Sequence, residues 1–309
     1  MRDDFFKRRE LLIGVMGLSV ASFPARAQFT DIINRLNGGS GGGTDVGKVI
    51  GGFSSIFDAI NLGEADEIRM GSELYPRIID QAGGTYKNQR SQSALQHFAA
   101  PLLATSKRPA LQWEITLLDD SSVNAWALPG GKIAINKGVL RCARDENELA
   151  AVISHEMGHA ELSHGLAEMR QQKFTQGFSE IGKQAIAQSR RDGSGALGAE
   201  FFNQVQGPLF KMVSSGYSRE HEGEADHHIL SVFGRTGYEP SKAANFFRTL
   251  LDITPEGTQQ TTSLYSTHPA TRERISAIDV AARTMPSPPA RSEASSDFSG
   301  LKKTFPTRL

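Results

Sequence analysis

Three histidines fall within the short segment AVISHEMGHAELSHG at residues 151–165. His155, Glu156 and His159 form the pattern H-E-x-x-H, in which the two histidines lie four residues apart. On an α-helix such rings are about 40° apart around the axis and one turn along it, so both can reach one metal ion. Glu156 projects between them, where its carboxylate can take a proton from a water held by the metal. The pattern therefore predicts a hydrolytic metal site, and zinc suits imidazole and carboxylate ligands.

The third histidine, His164, lies five residues after His159, which is about 140° around a continuing helix. It cannot reach the same ion while the helix continues. The longer zinc pattern H-E-x-x-H-x-x-G-x-x-H also fails, because it needs Gly at 162 and His at 165, where the chain has Leu162 and Gly165. We expect His164 to have a structural role, at the helix end or behind the ligands.

A further ligand must come from another part of the chain, and the segment YSREHEGEAD at residues 217–226 is the candidate. Glu222 and Asp226 share one face of a helix. Glu222 can bind the metal, and Asp226 can accept a hydrogen bond from the free ring nitrogen of a ligand histidine, for which we expect His155. The segment holds rivals: Glu220 with Glu224 at the same spacing, and His221, His227 and His228. Spacing alone favours Glu222 with Asp226 only slightly.

Helices and a small sheet must position these residues. Apolar periodicity predicts helices over residues 53–106 with a break at Gly83-Gly84, and alternation at residues 113–117 predicts a strand. Asn124–Leu128 and Lys132–Asn136 flank a Pro-Gly-Gly turn, which predicts a hairpin-like pair at a sheet edge.

The remaining elements are predicted to be helical. Asp145 can cap the helix that carries the metal motif, with Glu148 at the reciprocal position. Further helices are expected over residues 166–215, with a loop at 191–198, over 218–233, and from Pro269 to Ala282.

Four motifs in this order resemble a known family. They are N-A-W-A-L-P-G-G at residues 124–131, E-L-A-A-V-I-S-H-E-M-G-H at 148–159, the pattern Y-S-R-x-x-E-x-x-A-D at 217–226, and T-H-P-x-x-x-x-R at 267–274. The chain resembles the zinc metallopeptidase family that includes the CAAX prenyl protease and the heat-shock protease HtpX. More closely, it resembles the soluble, exported bacterial members of the family. It departs from the two named proteins in lacking their several membrane-length segments.

The resemblance implies a site and a fold. It implies that zinc, one ion per chain, is bound by His155, His159 and Glu222, with Asp226 behind them and Glu156 as the catalytic base. It implies an α+β, mainly helical, zincin-like fold whose edge hairpin borders the cleft. An extended peptide would then pair with the edge strand through Asn124, Ala125, Trp126 and Ala127.

The sequence allows three interpretations of His268. It can stabilise the oxyanion of the reaction as a tentative catalytic residue, it can approach the zinc and block the water, or it can be an ordinary histidine before the helix that Pro269 starts. Arg219 and Arg274 can orient the carboxylates or form structural ion pairs.

Composition narrows the class of protein. The chain of 309 residues has 34 basic and 34 acidic residues, so nothing indicates a nucleic-acid partner. Its single cysteine, Cys142, excludes an internal disulfide and a cysteine-based zinc cage. Basic residues 7–9, an apolar stretch at 11–23 and the motif Ala-Arg-Ala at 25–27 predict an export signal cleaved near Ala27. Arg8-Arg9 leaves the twin-arginine route and the ordinary route equally open.

The sequence therefore predicts four regions: a signal segment at 1–27, a Gly-rich linker at 28–44, a catalytic domain at 45–284, and a disordered tail rich in Pro and Ser at 285–309. We expect a zinc metalloendopeptidase of the bacterial periplasm that acts on proteins of the cell envelope, misfolded ones in particular. Peripheral association with a membrane stays open. The alternative is a latent protein or a non-proteolytic chaperone or binding module with an occluded zinc site.

Overall fold

The computed structural model describes residues 64–168, 216–253, 264–288 and 296–305. The predicted signal segment 1–27, the linker 28–44 and the loop 191–198 lie outside these residues.

The first two described helices lie on either side of the break that was predicted at Gly83-Gly84. Helix α1 spans Glu64–Gln81 and helix α2 spans Gln89–Leu103. Gly83 and Gly84 lie between them with φ of 97° and 80°, a conformation that glycine adopts without strain. The Asn88 side chain accepts a hydrogen bond from the backbone of Ser91 and so begins α2.

A three-stranded sheet supports the site. Strand β1 spans Glu114–Leu118, β2 spans Ala125–Leu128 and β3 spans Lys132–Asn136. The order is β1-β3-β2, with β1 parallel and β2 antiparallel to β3. Among the described strands β2 therefore lies at an edge of the sheet, as the hairpin pattern predicted.

Helix α3 spans Lys137–Cys142, and helix α4, which carries the H-E-x-x-H motif, spans Glu146–Glu161. The Asp145 side chain caps α4 by accepting from the backbone of Glu148. The Glu148 carboxylate accepts from the backbone of Arg144, one residue before the predicted reciprocal partner. Every residue from Asn147 to Glu161 is buried, so α4 is the central element of the core.

Helix α5 spans Arg219–Thr236 and packs along α4. The two helices approach closely at Gly158, where an added Cβ would lie 2.9 Å from the Cβ of His228 and 3.0 Å from the Cα of Ala225. Contacts that close are excluded for any larger residue without a shift of the backbone. The glycine inside the metal motif therefore brings the acidic segment of α5 against the histidines of α4.

The rest of the described chain closes around this pair. A short 3₁₀ helix at Pro240–Lys242 leads into α6 at Asn245–Ile253, followed by α7 at Leu264–Thr267 and α8 at Arg272–Arg283. Helix α8 begins at Arg272, because Thr271 caps it by accepting from Arg274, so Pro269 precedes the helix instead of starting it.

The expectation of a disordered tail after residue 284 is wrong for its described part. Ser296–Lys303 forms helix α9, which packs on α2. Leu301 is 0% exposed, and the Lys302 ammonium donates to the backbone carbonyls of Leu140, Arg141 and Ala143 at the end of α3. A segment rich in Pro and Ser can still form a packed helix when a few of its apolar residues contact the core. The packed domain therefore extends beyond residue 284.

Among the helices that the structure describes, none is long and apolar enough to cross a membrane. The prediction of a mainly helical α+β fold with a small sheet is confirmed.

Candidate metal centre and active site

Four side chains from three parts of the chain converge beside α4, and we call them the inner cluster. They are His155 and His159 of α4, Glu222 of α5, and His268 just after α7. Each is at most 3% exposed. The Nε2 atoms of the two α4 histidines are 3.1 Å apart. Glu222 approaches them through its two oxygens, 3.3 Å from the Nε2 of His155 and 3.5 Å from the Nε2 of His159.

These separations fit one metal ion. Zinc bonds of about 2.0–2.2 Å in a tetrahedral arrangement place neighbouring ligand atoms about 3.3–3.6 Å apart. Two imidazoles and one carboxylate are also a ligand set that zinc accepts in hydrolytic sites. The structure brings the three predicted ligands together, and it does not bring the rivals Glu220 or His227, which are exposed, into this cluster.

His268 lies at the fourth side of the inner cluster. Its Nδ1 is 2.7 Å from Glu222 Oε1 and 3.3 Å from the Nε2 of His155. Its Nε2 is 3.6 Å from a carboxylate oxygen of Glu156. The side chain is 2% exposed and points into the site, which differs from an ordinary helix-start histidine at the surface.

Glu156 is 0% exposed, and among the described residues neither of its carboxylate oxygens has a hydrogen-bond partner. Burial raises the pKa of this carboxyl, and the neighbouring His268 and His155 only partly oppose the rise. A cavity of about 10 Å³, room for about one water, is lined by Glu156, His155 and His268 among others. A buried carboxylate next to a water-sized space is suited to proton transfer.

Asp226 lies behind His155, as the spacing predicted. Its Oδ1 is 3.2 Å from the Nδ1 of His155, so the other ring nitrogen of that histidine faces the cluster. Burial alone would lower the pKa of His155, but the Asp226 and Glu222 carboxylates outweigh it and raise the pKa to about 9. Asp226 therefore favours a proton on the His155 ring, and its position beside Nδ1 favours that nitrogen as the site of the proton.

Arg274 joins the two carboxylates of α5. Its guanidinium donates to both oxygens of Asp226, at 2.8 and 2.6 Å, and its Nη1 is 2.9 Å from Glu222 Oε2. The guanidinium also lies over the ring of Phe247, 4.8 Å from its centre. Burial works against the ionised form of Asp226, but Arg274 and His155 hold the pKa of its carboxyl below the usual range. Both sequence readings of Arg274 thus apply, because this buried ion pair also orients the carboxylates.

The predicted substrate strand lies beside the site. Asn136 donates its backbone N–H to the carbonyl of Asn124, so Asn124 and Trp126 pair with β3, while the backbone of Ala125 and Ala127 faces outward. The outward carbonyl of Ala127 accepts a 3.3 Å hydrogen bond from the hydroxyl of Tyr217. One residue before Asn124, the carbonyl of Val123 accepts from the backbone N–H of Leu264 at 2.6 Å. The chain's own groups therefore occupy part of this edge.

Tyr217 is a site residue whose role the motif reading did not assign. Its ring stacks on His159 at 3.8 Å with 11° between the planes. Gly216 positions it, because a Cβ there would lie 1.7 Å from the carbonyl oxygen of Thr267 and the φ of 80° also favours glycine. The motif Y-S-R signalled the tyrosine, but only the packed chain brings it over a histidine of α4.

A second group of side chains lies behind His159 and contacts it through His164, and we call it the outer cluster: His164, His221 and Glu224. The Nδ1 of His164 is 2.9 Å from the Nδ1 of His159. This contact arises because α4 ends at Glu161 and the chain turns at Ser163, which has a positive φ of 55°. Arg108 donates to the Ser163 hydroxyl at 2.7 Å and holds the turn.

Comparison with known proteins identifies the family. A family model described as peptidase family M48 matches residues 87–282, more than half of the chain. The metalloprotease LoiP of Escherichia coli is 26% identical over 234 residues, which cover 76% of this chain and 87% of LoiP. The mitochondrial metalloendopeptidase OMA1 of Schizosaccharomyces pombe is 27% identical over 215 residues, 69% of this chain and 60% of OMA1. A putative beta-barrel assembly-enhancing protease of Vibrio cholerae is 26% identical over 247 residues, 78% of this chain and 48% of that protein.

The resemblance drawn from the four motifs is confirmed, since the matched region, residues 87–282, contains all four residues of the inner cluster. A relative of similar length and a longer relative both align to it. The chain therefore belongs to peptidase family M48, a family of zinc metalloendopeptidases.

Proposed function

We propose that His155, His159 and Glu222 bind one zinc ion and that the chain hydrolyses internal peptide bonds of envelope proteins in the bacterial periplasm. The observation that carries the site is the convergence of two imidazole nitrogens and two carboxylate oxygens at 3.1–3.5 Å in a buried setting. Zinc at this position would polarise the scissile carbonyl and acidify the attacking water.

Glu156 is the proposed acid and base. Its carboxylate adjoins the water-sized space and takes a proton from the attacking water at one of its oxygens. Burial raises the pKa of this carboxyl, which favours the protonated form until the proton passes to the leaving amine. Removal of this transfer is expected to slow hydrolysis by about 10²–10⁴-fold.

Asp226 and Arg274 are the proposed orienting pair. Asp226 holds the Nδ1–H of His155, which directs the Nε2 lone pair of that ring toward the metal position. Arg274 fixes both Asp226 and Glu222 from behind. A site whose ligands are already oriented loses less freedom when the ion and the substrate bind.

The outward edge of β2 is the proposed substrate surface. A peptide in extended conformation can pair with the backbone of Ala125 and Ala127, which accounts for broad sequence tolerance. Because these contacts involve backbone atoms, the side chains of the substrate contribute little to binding. This mode suits proteins that expose unfolded segments, and it is our reason for proposing misfolded envelope proteins as substrates.

The location is proposed from the N-terminal sequence and the relatives. The basic, apolar and Ala-Arg-Ala segments of residues 1–27 have the order of an export signal. One relative is named for beta-barrel assembly, a process of the envelope. Together they support a protein that meets its substrates outside the cytoplasm.

A latent form is the second candidate, and three observations favour it. His268 lies at the fourth side of the inner cluster, which supports its blocking role over its oxyanion role. The carbonyl of Ala127 is occupied by Tyr217, and the adjoining cavity holds about one water. Such a protein binds zinc but does not cleave until His268 or Tyr217 moves.

The test compares wild type, Glu156→Gln and a control, Glu220→Gln, which changes an exposed carboxylate of α5. Bound zinc and cleavage of casein are measured on the same preparations. We expect one zinc per chain in all three and cleavage in all but Glu156→Gln. Cleavage by Glu156→Gln at the wild-type rate would refute the role of Glu156, and absence of zinc would refute the ligand set. Zinc without cleavage in the wild type would support the latent form, with His268→Ala as the activating variant.

A further inference from the structure

We infer that His164 and Glu224 form a hydrogen-bond chain that fixes the proton of His159 on Nδ1 and so directs its Nε2 to the metal. This inference rests on the proposed zinc site. It makes His164 a positioning residue and so refines the sequence prediction of a structural histidine at the helix end or behind the ligands.

The chain consists of two short contacts in series. The Nδ1 of His159 is 2.9 Å from the Nδ1 of His164, and the Nε2 of His164 is 2.8 Å from Glu224 Oε2. The remaining nitrogen of His159 faces the inner cluster, 3.1 Å from the Nε2 of His155. Both ring nitrogens of His159 and both ring nitrogens of His164 therefore have a polar neighbour.

Proton counting decides the direction of the chain. An ionised carboxylate only accepts hydrogen bonds, so the Nε2 of His164 must carry the proton that it donates to Glu224. A neutral His164 ring then has a lone pair on Nδ1, which accepts the proton of His159 Nδ1. The Nε2 of His159 is left with its lone pair directed into the inner cluster, as a metal ligand requires.

The reverse arrangement is incompatible with a metal at His159. If the Nδ1 of His164 carried a proton, His159 would have to accept it on Nδ1 and carry its own proton on Nε2. That proton would point at the metal position. A metal-bound His159 and an Nδ1-protonated His164 therefore exclude each other in this geometry.

A second metal ion in the outer cluster would conflict with this arrangement of protons. His164, His221 and Glu224 have ligand atoms within 4.8 Å of one another. An ion there would bind the lone pair of His164 Nε2, so the ring proton of His164 would lie on Nδ1. His159 would then carry its own proton on Nε2, the nitrogen that faces the inner cluster. His221 instead stacks on the His164 ring at 4.3 Å, and its Nδ1 lies 3.0 Å from Glu168. The contacts thus favour a hydrogen-bond chain at this place over a second ion.

The experiment measures zinc affinity by competition with a chelator for wild type, His164→Leu, His164→Asn and His221→Asn. His164→Leu removes the acceptor for His159, and we expect zinc affinity to fall about 10–100-fold. The Asn side chain keeps an oxygen acceptor near the place of Nδ1, so His164→Asn should recover most of the loss. His221→Asn, a control that changes a neighbouring ring without touching His159, should keep the wild-type affinity and one zinc per chain.

Each outcome bears on the inference. Unchanged affinity in His164→Leu would refute it, and so would two zinc ions per wild-type chain with one lost in His221→Asn. Equal losses in His164→Asn and His164→Leu would assign His164 to packing alone and also refute it. If His164→Leu does not fold, as judged by circular dichroism of the metal-free protein, the comparison of His164→Asn with His221→Asn decides. The proposed function fails separately, since then the wild type binds no zinc.

Discussion

The inner and outer clusters contain the same residue types, two or three histidines with one glutamate, yet they differ in burial and in the use of their ring nitrogens. All four residues of the inner cluster are at most 3% exposed, whereas the Glu224 side chain of the outer cluster is 53% exposed. In the inner cluster the ligand atoms converge on one point. In the outer cluster His164 and Glu224 are linked in series as hydrogen-bond donor and acceptor. The group that faces the second nitrogen of each histidine therefore decides whether the ring can serve as a metal ligand.

The largest expected effect separates the glutamates of α5. Glu222→Ala removes a carboxylate from the inner cluster, and we expect loss of stoichiometric zinc and of cleavage, because the variant lacks the one anionic ligand of the proposed set. Glu220→Ala removes an exposed carboxylate of the same helix and should change neither. Zinc content by atomic emission and casein cleavage check both.

The opposite result would contradict the assignment of the metal to the inner cluster. If Glu222→Ala retains one tightly bound zinc, the ion lies elsewhere, and the outer cluster becomes the candidate. Zinc loss in Glu220→Ala would restore the rival pair of Glu220 and Glu224.

A smaller effect is expected at Arg274, which pairs with Glu222 of the inner cluster and with Asp226 behind it. Arg274→Leu leaves two buried carboxylates, Asp226 and Glu222, without their cation, and we expect the free energy of unfolding of the metal-free protein to fall by about 3–5 kcal/mol. Urea denaturation measures this change. Arg283→Ala, at the exposed end of the same helix, should lie within about 0.5 kcal/mol of wild type.

If the free energy of unfolding of Arg274→Leu equals that of the wild type, the two carboxylates are protonated in the metal-free protein and the arginine does not stabilise them. Zinc binding should then compete with those protons. The zinc affinity of Arg274→Leu would in that case rise steeply with pH, whereas a folded, destabilised variant should show weaker affinity throughout.

The smallest expected effect concerns Tyr217, which lies between the clusters. Tyr217→Phe keeps the ring on His159 and removes the hydroxyl from the carbonyl of Ala127. A peptide no longer has to displace that hydrogen bond, worth about 0.5–1.5 kcal/mol, so kcat/KM should rise about 2–12-fold. Steady-state kinetics on a fluorogenic peptide measure the change, and zinc affinity serves as the control because it should not move.

A fall of kcat/KM in Tyr217→Phe would contradict this expectation. It would mean that the hydroxyl contacts the transition state after peptide binding, and the occupied edge of β2 would then have no part in latency.

Some features were predictable because they depend on short spacing along the chain. The two histidines of α4 converge since residues four apart share a helical face, and the same rule pairs Glu222 with Asp226. Gly83-Gly84 and the Pro-Gly-Gly turn marked the ends of elements because their conformations are local. For the same reason the sequence predicted a mainly helical fold with one edge hairpin.

Other features depend on where helices end and which surfaces meet, and the sequence did not reveal them. His164 was placed about 140° from His159 on a helix that in fact stops at Glu161, and the turn at Ser163 brings its ring to the Nδ1 of His159. Helix α9 was missed because its few apolar residues gain their stability only from the core of the domain.

By itself the sequence determined the chemistry that is available: the ligand types, their spacing on two helices, and a glutamate next to the first histidine. The tertiary structure decided which ring nitrogens face the metal position, which carboxylates are paired with Arg274, and that Tyr217 covers both His159 and the edge of β2. The physical reason is that hydrogen-bond direction and burial arise between segments far apart in the chain. Gly158 and Gly216 contribute to both by allowing backbones to approach where any side chain would collide.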